Sequence, residues 1–298
     1  MPSLLFLLFD TLLPSLAVSF KRQGDAGLVF RTANGVKRRR KRGPEWYTVI
    51  GLSILNVMLG AGLQGGFEFV LTEVLNLRSA LQVTTTLPMP WTIAKGVAIN
   101  FLLREVGLSV ITAPGAKLTS SQALQYYIQR FLLHPASPNP ISNLHNTYAH
   151  SVCAPYAFTS HYDHPIPWIF SRFLPTYFPS IVFRTHLLTH FIFLSLVTLE
   201  ETITFSGYTS IPGILLGGIA RRQDLHMESG GKGNFGAWGL LDWVHGTSLG
   251  NDVMDDMKDE VEKHQVKERG GRALSNAKSA GSEGLRAWNG RRKSSRKA

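Results

Sequence analysis

The chain has 298 residues, 44% of them hydrophobic and 17% charged, which excludes a disordered or collagen-like polypeptide. Its formal charge of +11 sits on the flanks: residues 21–42 carry nine basic side chains against one acidic, residues 251–298 carry twelve against eight, and residues 43–250 balance. A neutral, aromatic-rich middle between basic ends is the pattern of a membrane protein with cytosolic tails, and the single cysteine, Cys153, excludes a disulfide framework or a multi-cysteine metal site within one chain.

In chain order, residues 2–20 are apolar apart from Asp10 and run straight into Lys21 and Arg22. Ala17-Val18-Ser19 resembles a small-residue cleavage site, but a signal peptide carries its positive charge before the apolar stretch, so an interfacial or first membrane segment is expected. The run Lys37-Arg38-Arg39-Arg40-Lys41-Arg42 reads as a nucleic-acid patch in isolation. Residues 46–67, uncharged and long enough to cross a bilayer core of roughly 30 Å, turn it into a positive-inside signal that also suits anionic headgroups. No nucleic-acid partner is expected.

A second apolar region, 91–113, is interrupted by Lys95, Arg104 and Glu105 and reads as a tilted or bundle-buried helix. Residues 167–199 are again apolar, with Pro175 and Pro179 predicting a kink or two half-helices, and His186 and His190 lie one helical turn apart. A shorter apolar piece, 211–220, ends at Arg221-Arg222, and a charged helical stretch is expected over 253–269 within a cytosolic tail. The expected organisation is an N-terminal apolar and basic segment (1–45), membrane helices (46–120), a histidine-bearing region (121–250) and a polar basic tail (251–298). The fold class is all-α, a multi-pass membrane helical bundle with a cytosol-facing, histidine-bearing helical cap.

Seven of the ten histidines fall between 134 and 190, and an eighth is His226. Neutral imidazoles converging from several helices can hold Fe, Zn, Cu or Ni without any cysteine. His134 ends a helical pattern at Pro135. His145 and His150 are five apart, off a single helical face, and converge only if the backbone bends. His161 and His164 flank Asp163, which either orients an imidazole or ligates directly. His186 and His190 also suit satisfied polar positions in a bundle, while His245 and His264 read as a turn and a tail residue.

Residues 125–250 resemble the membrane fatty acid hydroxylase and sterol desaturase superfamily. The resemblance is carried by Gln129-Arg130-Phe131-Leu132-Leu133-His134 in place of H-R-x-x-x-H, by His145-Asn146-Thr147-Tyr148-Ala149-His150, and by Ala154-Pro155 and His164-Pro165. It continues through Phe205-Ser206-Gly207-Tyr208 with Pro212, Arg222-Gln223-Asp224-Leu225-His226-Met227, Gly233-Asn234-Phe235-Gly236, Asp242-Trp243 and Gly246-Thr247. Where the family pattern has imidazole, this chain has Gln129, Ala149, Phe205, Gln223 and Met227, with Arg222 a further departure.

The resemblance implies an iron-dependent oxidoreductase that hydroxylates or desaturates a lipid C–H bond with O2, a fatty acyl chain first. The alternatives are a sterol oxidase or desaturase of the same family, or an inactive lipid-binding or scaffold relative. It implies metal ligands His134, His145, His150, His164 and His226, with His161 as a further candidate, and Asp163 and Asp224 orienting imidazoles. Two irons are implied, and three outcomes stay open: replacement ligands from His161, His186, His190, Asp163, Asp224 or Glu200-Glu201; one metal; or none. Expected partners are a membrane, a lipid substrate and an electron donor such as cytochrome b5 or its reductase, in the endoplasmic reticulum. Gly230-Gly231-Lys232-Gly233 lacks the strand-to-helix setting of a phosphate-binding loop, so no nucleotide site is expected.

Overall fold

A computed structural model describes residues 2–29, 44–105, 124–209 and 214–263. The run Lys37–Arg42, residues 106–113 of the second apolar region, Pro212, His264 and the tail beyond residue 263 lie outside the described residues. The chain divides into two units, Met1–Val253 and Met254–Ala298. The second is described only through the helix Val253–Lys263, whose exposed Lys258 pairs with Asp255 one turn away.

The first unit is all-helical among the described residues, with only isolated bridges (Lys21 to Tyr208, Gln82 to His186) outside helices and turns. Its helices are α1 (Pro2–Leu12), α2 (Pro14–Phe20), α3 (Trp46–Phe69), α4 (Pro90–Glu105), α5 (Leu124–Tyr127), α6 (Pro140–Tyr148), α7 (Pro165–Trp168), α8 (Leu174–Val182), α9 (Leu187–Thr204), α10 (Ile214–Ser229) and α11 (Leu240–His245). Wide π turns extend three of them: Val70–Val74 after α3, Ile128–Leu133 after α5 and Ile169–Phe173 between α7 and α8. Among the described residues, two stretches, Trp46–Val74 and Leu187–Thr204, are long and apolar enough to cross a membrane, and the bent pair α1–α2 would be a third if it were one span.

Polar contacts orient the long helices. Near its start, α3 is held by Ser53, which donates to Phe158 O (2.8 Å), and by Asn56, which donates to His161 O and Asp163 O (both 2.9 Å). Near its end, Glu68 accepts from Tyr177 on α8 (3.3 Å) and from Ser79 (2.8 Å). Helix α4 runs the other way. Its Gly96 lies beside Thr185 and Thr189 at the start of α9, and its Arg104 reaches Glu200 and Glu201 at the end of α9. The segment from α7 to α8 runs beside α3, from Trp168 near Gly60 to Ser180, which accepts from Asn100 (3.3 Å). The result is an antiparallel bundle of α3, α4, α7–α8 and α9, with the segments bearing His134, His145, His150, His161, His164 and His226 at one end and His186 and His190 at the other.

The kink expected in 167–199 is a full break. Arg184 has a positive φ of 44°, and α9 begins anew after His186, whose Nδ1 accepts from Leu188 N–H (3.1 Å). The apolar piece that ends at Arg221-Arg222 belongs to a helix that continues to Ser229, with Arg222 buried along it. Close approach of α3 to α7 depends on Gly60. A Cβ built there would sit 2.8 Å from the Trp168 indole. Gly60→Ala is therefore expected to lower stability by about 1–3 kcal/mol through overpacking, whereas Gly62→Ala, which meets open space, should shift it by less than about 0.5 kcal/mol. Thermal unfolding of the two variants in detergent checks this.

Candidate metal centre

Four imidazoles meet at the bundle end: His134, His145, His150 and His226, each offering one ring nitrogen, all four within 4.8 Å of one another. Three separate stretches supply them. His134 caps the π turn after α5, its N–H donating to Gln129 O (2.9 Å). Such a turn inserts an extra residue into the helical ladder and recurs at functional sites. His145 lies in the last turn of α6, which is entered through a capping box of Asn139 and Ser142. The axis then bends at Tyr148 (φ −95°, ψ −71°) into a 3₁₀ turn bearing His150, so the two rings meet with centroids 5.1 Å apart despite their five-residue spacing. His226 comes from the last turn of α10.

The outer nitrogens are held. Asp163 Oδ2 is 2.6 Å from His145 Nδ1, and Gly233 O accepts from His226 Nδ1 (2.7 Å). Each such bond fixes the tautomer that leaves a lone pair on Nε2, as in metal-ligating histidines generally. His145 Nε2 and His150 Nδ1 are buried without a hydrogen-bond partner, and His150 Nε2 stands 3.3 Å from His134 Nε2. Buried unpartnered imidazole nitrogens are costly unless something fills the space between them. The donor set therefore fits a metal ion of the kind imidazole prefers.

The glycines after α10 serve the same cluster. Gly230 and Gly231 both have positive φ (70° and 78°) and close the helix. A Cβ at Gly231 would fall 2.2 Å from the His134 ring. Beyond them, Asn234 donates to Arg222 O and Leu249 O, and Asp242 accepts from Phe235 N–H, Gly236 N–H and Thr247. This loop places Phe235 against His134 and His226.

Burial disfavours the charged form of His134, His150 and His226. Burial first, then the neighbouring imidazoles, pushes His134 down to about 2 and His150 well below the ordinary histidine value. Burial lowers His226 to about 4, against the opposing bond to Gly233 O. Because the unfolded chain binds protons at about 6.5 and the folded one does not, stability is present above that pH and is lost as pH falls toward about 4. The unfolding midpoint of metal-free protein is expected to fall steeply across that window in a pH-stepped melt, with metal released from loaded protein over the same range because protons compete for the ligand nitrogens.

The remaining expected site residues lie elsewhere. His164 Nδ1 accepts from Ile166 N–H (3.3 Å) as the cap of α7, with its ring against Tyr148. His161 is half-buried beside Glu201 and Trp168. Neither joins the four, because the segment 161–164 turns only Asp163 toward the cluster. Asp224 orients no imidazole: it receives the guanidinium of Arg22 and the amide of Gln23 (2.6 Å). Glu200 and Glu201 are committed to Arg104, with Arg172 also on Glu201 (3.2 Å) and Trp238 on Glu200 (3.0 Å). His186 bonds Thr84, His190 bonds Ser180, and His245 reaches Tyr127, all away from the cluster.

A cavity adjoining His145 and His226 is lined by Gln129, Ala149, Phe205, Gln223 and Met227, the five positions expected as imidazoles. The Arg172 guanidinium also lines it, 4.7 Å over the Phe205 ring. Amide, methyl, phenyl and thioether groups beside a fixed cation do not make a second imidazole site. The residues present fit one ion and do not fit two.

The fatty acid hydroxylase family model matches residues 117–247. Fatty acid hydroxylase domain-containing protein 2 of Macaca fascicularis is 31% identical over 145 residues, 48% of this chain and 39% of that protein, so the chain matches about two fifths of the relative's length. No solved structure matches. The matched segment 117–247, which is similar to fatty acid hydroxylase domains, supplies all four converging imidazoles.

Proposed function

We propose that the chain is a membrane-bound, iron-dependent oxidoreductase that hydroxylates or desaturates a lipid C–H bond with O2, a fatty acyl chain first among substrates. The supporting observation is the convergence of four imidazoles, two of them with buried unpartnered nitrogens, at one end of a bundle with membrane-length apolar helices. Iron held there supplies the O2 activation and one-electron steps that no side-chain acid, base or nucleophile provides at an unactivated C–H bond. The chain's own groups do the rest. Asp163 and Gly233 O fix two ligand tautomers, Gly231 gives the His134 ring room, and Phe235 walls off one side. Arg104, Arg172, Glu200 and Glu201 balance charge beside His226 without occupying it. One iron is the count the donors favour, with electrons delivered by a cytochrome b5-type protein or its reductase at the endoplasmic reticulum.

The five replaced positions favour a second reading, a lipid-binding relative without turnover. Iron content of detergent-purified protein from iron-replete cells, with lipid profiles of cells lacking and overproducing the chain, separates the two. Iron near one per chain with a changed hydroxylated or unsaturated lipid is the expected result. Absence of iron retires the enzyme reading.

A further inference from the structure

The bent pair α1–α2 has its whole length tied to one end of the bundle. At its start, Ser3 hydrogen-bonds Thr202 near the end of α9 (3.3 Å). Midway, Asp10 is buried between Tyr208 and Lys21, whose ammonium donates to it at 2.6 Å. After α2, Arg22 N–H donates to Gly207 O (3.4 Å), and its guanidinium pairs with Asp224 and Glu228 on the helix that carries His226. Thr202, Gly207 and Tyr208 all lie at the histidine end. The helices meet at 113°, and their 11 and 7 residues measure roughly 16 and 10 Å, short of a bilayer core of roughly 30 Å.

One face of this hairpin packs inward, with Phe6 and Phe9 against Tyr208 (5.5 and 5.9 Å). The other presents Leu5, Leu8 and Leu12, which share a helical face and are 70, 54 and 66% exposed, together with Leu16 and Phe20. We infer that this hairpin does not cross the membrane but lies in its plane, with Leu5, Leu8 and Leu12 sunk into the leaflet on the histidine-site side. The occupant is lipid because the hairpin is bonded through Ser3 to α9, itself long and apolar enough to span, and because the sequence continues into the six basic residues Lys37–Arg42, which suit anionic headgroups. Through Arg22 the anchored hairpin would hold α10, and hence His226, at the level of the headgroups.

The test uses the full chain with Cys153→Ser and single cysteines at Leu5, Leu8, Leu12, Pro2, Ser19 or Lys232. In phosphatidylcholine–phosphatidylserine vesicles, fluorophores at Leu5, Leu8 and Leu12 should be quenched strongly, and all alike, by shallow nitroxide lipids and weakly by deep ones. In sealed membrane vesicles, Pro2→Cys and Ser19→Cys should react with an impermeant maleimide from the same side as Lys232→Cys. Labelling of Pro2→Cys and Ser19→Cys from opposite sides would show a span and overturn the inference. So would absence of lipid quenching with Leu8→Cys protected only in a self-associated state, which would make the occupant a second copy. Neither readout depends on metal or turnover, so this inference can fail while the proposed function stands, and the reverse.

Discussion

Joint replacement of His150 and His226 by alanine is expected to empty the metal centre and abolish lipid oxidation. Loss of a single orienting partner typically costs about 10–100-fold in metal affinity, so removing two of four ligands should cost more than about 100-fold. The comparison variant is His164→Ala. Its imidazole belongs to the motif that resembles a ligand box, yet in the structure it caps α7. His164→Ala should lose about 0.5–2 kcal/mol of stability, as caps do, and keep its iron. Metal analysis of both purified proteins, alongside size-exclusion profiles that report folding, decides the assignment. Full iron in the double variant would mean that the four-histidine cluster is not the site.

The second large effect concerns Arg104. Its side chain is 1% exposed and bridges Glu200 and Glu201 at the end of α9. Taking away one partner of a buried ion group leaves charge without compensation, which typically costs about 3–5 kcal/mol. Arg104→Met should therefore destabilise the protein by about that amount in detergent unfolding. Adding Glu200→Gln should restore part of the loss, because Glu201 keeps Arg172 while Glu200 loses its cation. No loss with Arg104→Met would mean that the carboxylates find other partners and that the network does not brace the bundle beside His226.

Much of the fold was readable from local pattern. The uncharged stretch from Trp46 became a membrane-length helix, and the turn glycines and Asn234 framed the last histidine as the resemblance implied. The site was only half legible. His134, His150 and His226 sit where their motifs put them. His145 reaches the cluster through a bend at Tyr148 that spacing alone could not supply. Misleading signals came from residues with equally good local uses. His164 resembles a ligand until its Nδ1 is seen capping a helix, and Asp224 resembles an orienting carboxylate until Arg22, some two hundred residues away, is found on it.

Composition, hydropathy and spacing determined that this protein is helical, has stretches long and apolar enough to cross a membrane and is rich in potential imidazole ligands, because each property depends on neighbours a few residues apart. Tertiary structure alone decided which four imidazoles converge, that Asp163 rather than the flanking histidines serves them, and that the N-terminal hairpin is tied to the histidine end. Those outcomes are competitions for a limited set of donors, acceptors and space inside one bundle end. Only the assembled packing of distant segments determines which partner each group takes.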